Sequence, residues 1–105
     1  MATEVFLGTE LKLNISIEPI GSYTMDDYSW SVDIWTSMKR IMTITKDKAI
    51  RMDSDNYIIL VDTSELGGGD VKAKVTAHIP DFDFQDTLRT EVVGLDLGIK
   101  VLKTI

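Results

Sequence analysis

Residues 70–79 alternate without a fault: Val71, Ala73, Val75, Ala77 and Ile79 are apolar, and Lys72, Lys74, Thr76 and His78 between them are polar. A period of two sends successive side chains to opposite sides of a pleated strand, so the apolar set shares one face. A helix would scatter the same residues around its circumference. Residues 10–18 repeat the pattern, with Leu11, Leu13, Ile15 and Ile17 on one side, and residues 29–34 repeat it with Trp30, Val32 and Ile34 inward. Strands with one apolar and one wet face are what antiparallel sheets are built from.

The run Tyr57-Ile58-Ile59-Leu60-Val61 is unbroken and apolar, which predicts a short strand buried on both sides. Further strands are expected at 4–7, 40–45, 49–52, 89–93 and 99–103. The segments between them are turn-forming: Pro19-Ile20-Gly21-Ser22, Asp53-Ser54-Asp55-Asn56, Gly67-Gly68-Gly69, and the isolated Gly94 and Gly98. Thr63-Ser64-Glu65-Leu66 is suited to a single helical turn, and no segment sustains a helical period. The expectation is all-β: an antiparallel immunoglobulin-like β-sandwich of about 7–9 short strands, with residues 1–105 as one domain.

At 44% hydrophobic and 27% charged residues the chain reads as globular, and it has no cysteine, so neither disulfides nor thiolate metal sites enter. No apolar run approaches the roughly 20 residues of a membrane helix. The start, Met1-Ala2-Thr3-Glu4, has no basic or apolar leader, so synthesis in a cytoplasm is expected. A net charge of −6 argues against nucleic acid as a partner. The charge is banded: one Lys against six acids over 1–38, five bases against one Asp over 39–52, five acids and no base over 53–70. Such banding fits complementary faces for self-assembly or docking, and it equally fits basic residues solvating an edge strand.

Reactive constellations are hard to build. His78 is the single histidine and lies on the polar register of its strand, which leaves a Ser–His–Asp or histidine–metal site without its partners. Asp53-Ser54-Asp55-Asn56 superficially resembles a calcium loop, but Tyr57 occupies the fifth place and the closing Glu is missing, so a β-turn is expected. Asp81, Asp83 and Asp86 offer three carboxylates within six residues, for calcium or for acid–base work, although no pocket is evident. Gly67-Gly68-Gly69 runs into Asp70 and a strand, where a phosphate cradle needs a helix. No enzyme activity, cofactor or metal is expected.

The aromatic and sulfur side chains point elsewhere. Trp30 belongs to the inward set, whereas Trp35 falls on the outward register; Tyr23, Met25 and Tyr28 cluster before that strand and Met38 follows it. Exposed Trp, Tyr and Met are enriched at protein interfaces, so these residues form the candidate docking surface. Packing at the end of a sandwich accounts for the same cluster. Stacking on sugar rings by Trp35, Tyr23 and Tyr28 is the alternative function, a carbohydrate-binding or adhesive module.

The second half of the chain carries a resemblance. Ile79-Pro80-Asp81, Asp83-Phe84 and Leu88-Arg89-Thr90-Glu91-Val92 resemble the closing segment of small proteins and N-terminal modules encoded by phages and prophages of gut anaerobes. The wider layout, with Leu7-Gly8 ending an opening strand and Tyr57 leading a central one, is similar to immunoglobulin-like N-terminal domains of phage baseplate and fibre proteins. No shaft or receptor-binding region follows Ile105, which departs from the fibre pattern. The resemblance implies a non-enzymatic virion part (tail, baseplate, fibre adaptor or capsid-associated) that binds other virion subunits, with homo-oligomers expected and no membrane or nucleic acid involved. Arg89 joins the candidate interface here, paired with carboxylates of residues 81–86 in its own chain or in a neighbouring subunit.

Overall fold

The computed structural model describes residues 3–17, 21–37, 41–85 and 87–102, and only the backbone of residues 95 and 96. Eight strands are present among them: β1 (Thr3–Phe6), β2 (Glu10–Ser16), β3 (Ser29–Trp35), β4 (Ile41–Thr45), β5 (Ile50–Asp53), β6 (Asn56–Asp62), β7 (Gly69–Pro80) and β8 (Leu88–Leu102). They form a five-stranded sheet, β1-β8-β7-β3-β4, and a three-stranded sheet, β2-β6-β5. All neighbours are antiparallel except β1 and β8, the first and last strands, which run parallel from Thr3↔Ile99 to Phe6↔Leu102. Short 3-10 turns at Lys46–Lys48 and Thr63–Glu65 are the helical content among the described residues, the second falling where Thr63-Ser64-Glu65-Leu66 is suited to one.

The alternating segments behave as their periodicity requires. In β7, Val71, Ala73, Val75, Ala77 and Ile79 are buried while Lys72, Lys74 and His78 are exposed. Trp30, Val32 and Ile34 of β3 lie beside them in register, and Ile15, Tyr57, Ile59 and Val61 face them from the smaller sheet. Burying each large aliphatic side chain in this cluster stabilises the fold by roughly 1.5–3 kcal/mol. Trp30 meets Tyr57 edge-on at 5.1 Å between ring centroids, joining the two sheets.

The central strand β6 departs from the expectation of burial on both sides. Tyr57, Ile59 and Val61 are buried, but Leu60 is 54% exposed, because nothing among the described residues stacks on the far face of the three-stranded sheet. The two strands expected at 89–93 and 99–103 are one long strand, β8; Lys103 lies outside the described residues. A register shift opposite Val71 and Lys72, with Gly98 at φ 65°, absorbs the irregularity that the glycines announce.

Gly8, at φ 101°, turns the chain out of the larger sheet and into the smaller one. That turn is held by Thr63, whose buried hydroxyl donates to the Thr9 carbonyl (2.7 Å) and accepts from the Gly8 N–H (3.0 Å). No helix among the described residues is long and apolar enough to cross a membrane.

Candidate protein-docking surface

The longest uncovered edge belongs to β8. β7 pairs with it from Gly69↔Val101 to Pro80↔Leu88, but β1 covers its other side only at residues 99–102. Residues 88–97 therefore have a strand neighbour on one side alone among the described residues. The register divides their side chains between two faces. Arg89, Glu91 and Val93 stand opposite Ile79, Ala77 and Val75, on the face directed toward the smaller sheet; Leu88, Thr90 and Val92 stand opposite Pro80, His78 and Thr76, on the outer face.

Apolar side chains are concentrated here without cover. Leu88 is 45%, Val92 56% and Val93 52% exposed, and in the loop joining β7 to β8, Phe82 is 84% and Phe84 48% exposed. The loop is well tied: the Asp81 N–H donates to the Thr87 carbonyl (2.9 Å), Thr87 donates to Phe84 (2.9 Å), and the Asp83 N–H donates to the Asp81 carboxylate (3.0 Å). Thr87 sits at φ 59°, a left-handed conformation that β-branched residues rarely adopt. Strain of this kind persists where surrounding contacts over-determine the backbone, so the phenylalanines are presented by a shaped turn.

Beneath the edge the two sheets part. β2 is the outer strand of the smaller sheet, and between it and the hairpin lies a groove of about 490 Å³ lined by Leu13, Ile15, Ile17, Val75, Ala77, Val93, Leu97 and Ile99. Glu91 stands at the same groove, and Arg89 reaches both Glu91 (3.2 Å) and Asp81 (3.5 Å). The Arg89 Nε is buried with no hydrogen-bond acceptor among the described residues. The pairing of Arg89 with Asp81 is the within-chain pairing that the sequence allows, although Arg89 and Glu91 are half-buried on the groove-facing register and not on an open face.

Two residues of the expected surface cluster are not on the surface. Met25 and Tyr28 are buried, because residues 21–28 fold back over one end of the sandwich and turn those side chains inward. The segment is latched from outside: the Met25 N–H donates to the Ser54 carbonyl (3.1 Å), and Lys46 donates to the carbonyls of Asp26 and Tyr28 (2.9 Å each). Arg51 grips the Asp26 carboxylate through Nε (2.9 Å) and a terminal nitrogen (2.8 Å), and the Tyr57 hydroxyl donates to it (2.5 Å). Those hydrogen bonds hold Asp26 down at about 2, below its ordinary 3.8, while burial and the Asp26 carboxylate push the Tyr57 hydroxyl up. The basic band of 39–52 thus meets part of the acidic band of 1–38 within the chain. Tyr23 is half-buried against the core, and Met38 lies outside the described residues.

Trp35 remains on the outward register of the larger sheet, half-buried beside Ile41 and Lys72. With Tyr28 inside, the three aromatics considered for sugar stacking do not share a surface. His78 is exposed and its Nδ1 lies 3.0 Å from the Thr90 hydroxyl. No group of three acidic or histidine side chains among the described residues is gathered to hold a metal ion, and Asp86 lies outside them. Phe82, Phe84, Leu88, Val92 and Val93 are the surface residues that sequence reasoning missed. Their signal was two phenylalanines interleaved with aspartates just after Pro80, a turn composition in which an apolar side chain has no core to enter. In comparisons with known proteins no family model, no curated protein and no solved structure matches the chain.

Proposed function

We propose that this chain is a non-enzymatic structural module, an immunoglobulin-like β-sandwich that holds other protein subunits in a phage or prophage particle. The observation that carries the binding part is the β7–β8 hairpin, where an uncovered strand edge, exposed phenylalanines and an apolar groove coincide. Contiguous exposed apolar surface of this kind marks interaction sites in folded proteins. Other apolar side chains are exposed at Phe6, Ile41, Ile50, Met52 and Leu60; those of the hairpin lie beside both the uncovered β8 edge and the groove.

The immunoglobulin-like reading is supported by a first strand that pairs in parallel with the last one and then crosses to the opposite sheet. The particle reading is supported by the resemblance of residues 79–92 to phage-encoded modules, and those residues make up the exposed hairpin. Mass spectrometry of purified particles induced from the host tests it: the chain is expected in stoichiometric amount, and its absence from assembled particles defeats the proposal. Within such particles, Phe82→Ser with Phe84→Ser is expected to reduce incorporation while the protein stays folded.

A further inference from the structure

Resting on the reading of this hairpin as a docking surface, we infer that its occupant is a second copy of the chain, paired antiparallel through the β8 edges about a two-fold axis at Thr90. An isologous interface requires one patch to be complementary to itself. In an antiparallel pair centred on Thr90, residues equally distant before and after it stand opposite each other on the same face. Arg89 then faces Glu91 of the second copy, Leu88 faces Val92, and Thr90 faces Thr90. Opposite charges meet on the groove side, apolar residues meet on the outer side, and each contact occurs twice. Directly opposed unlike charges and apolar pairs are the contacts that stabilise antiparallel strands.

The same axis sets the hairpin tips. Residues 81–87 close in a compact turn just beyond Leu88, and Leu88 faces Val92 of the second copy, so the tip carrying Phe82 and Phe84 is set beside the stretch of that copy that directly follows Val92. One operation covers both β8 edges and brings each tip against the other copy. Pairing of the other free edges leaves them exposed: β4 and β5 are short, with β5 bulged at Arg51, and β2 carries Lys12 on its outer face.

A charge exchange tests the register. In Arg89→Glu both opposed positions become acidic, and in Glu91→Arg both become basic, so each variant alone is expected to be monomeric by analytical ultracentrifugation where the unaltered chain is dimeric. Mixing the two restores an unlike charge at every opposed pair, and a heterodimer is expected by native mass spectrometry. Val92→Arg, which leaves the Arg89 cluster untouched, is expected to be monomeric with an unchanged circular dichroism spectrum, a control should either charge variant fail to fold. A monomeric unaltered chain at high concentration overturns the inference, as does a dimer indifferent to all three substitutions. A monomer that is still found in purified particles overturns this pairing alone and leaves the structural role standing, whereas a dimer absent from particles does the reverse.

Discussion

Two segments at one end of this sandwich, where Ser29 pairs with His78, treat similar residues in opposite ways. In residues 21–28, Met25 and Tyr28 are inside, and Asp26 between them is held by Arg51, Tyr57 and a lysine-bound backbone. At the β7–β8 tip, Phe82 and Phe84 are outside, and the neighbouring Asp81 fixes the loop that presents them. Both segments set aromatic or sulfur-bearing residues beside aspartates. What differs is the backbone: a flap with a sheet end beneath it folds its apolar residues inward, whereas a hairpin that outruns its neighbours has nothing to fold onto. The overall extents of 53 × 26 × 25 Å agree with a sandwich drawn out along one direction.

The comparison is broken most severely at Trp30, which follows the flap and joins the two sheets through Tyr57. Trp30→Ala is expected to cost about 3–5 kcal/mol in urea unfolding, a large part of the roughly 5–15 kcal/mol available to a domain of this kind. A loss below about 1 kcal/mol would mean that the flap and not the aromatic pair closes the core. Gly69→Ala comes next. At φ 120° a side chain is strained, and its Cβ would collide with the Ser37 side chain, so a loss of about 1–3 kcal/mol is expected by the same measurement.

Asp26→Ala is expected to lower the Tm by less than either, since its site is exposed. Its pH dependence separates the latch from general packing. Asp26 is held at about 2 in the folded chain against an ordinary value of 3.8, so its stabilisation is fully present above about 4 and is lost as the pH falls toward 2. The difference in Tm between the unaltered chain and the variant should be flat from pH 7 to 5 and narrow below 4; a gap that stays constant down to pH 2 contradicts the latch. The smallest effect belongs to the open tip. Phe82→Ser is expected to change unfolding stability by no more than about 0.5 kcal/mol, because the side chain is mostly in water already. Equal losses at Trp30 and Phe82 would erase the distinction between the two segments.

Much of the fold was legible from period-two patterning, because alternation fixes which side chains share a face even when pairing is unknown. It placed Trp30, Val32, Ile34 and the apolar residues of β7 in the core and His78 outside. It gave no access to layers. Ile58 and Leu60 were expected to be covered because an unbroken apolar run is compatible with a doubly buried strand; among the described residues no third layer covers the small sheet, and Ile58 is half-buried while Leu60 is exposed. The candidate surface was harder still. Tyr23, Met25 and Tyr28 lie in a segment without periodicity, so their direction depends on a latch to Arg51 and Ser54, which are remote in the sequence. The uncovered edge of β8 follows from where β1 begins to pair with it, a matter of register that no local pattern encodes.

That parallel pairing of the first and last strands also decides how the chain bears load. Force applied at Thr3 and Leu102 pulls β1 and β8 in opposite directions along their own axes, so the pairs from Thr3↔Ile99 to Phe6↔Leu102 are sheared together. Force applied across the β7–β8 tip separates pairs one at a time. Single-molecule stretching through residues 3 and 102 should show the higher rupture force, and a lower one would refute the shear geometry. A fold built this way yields last along the line that joins its first and last strands, and most easily where its hairpin projects.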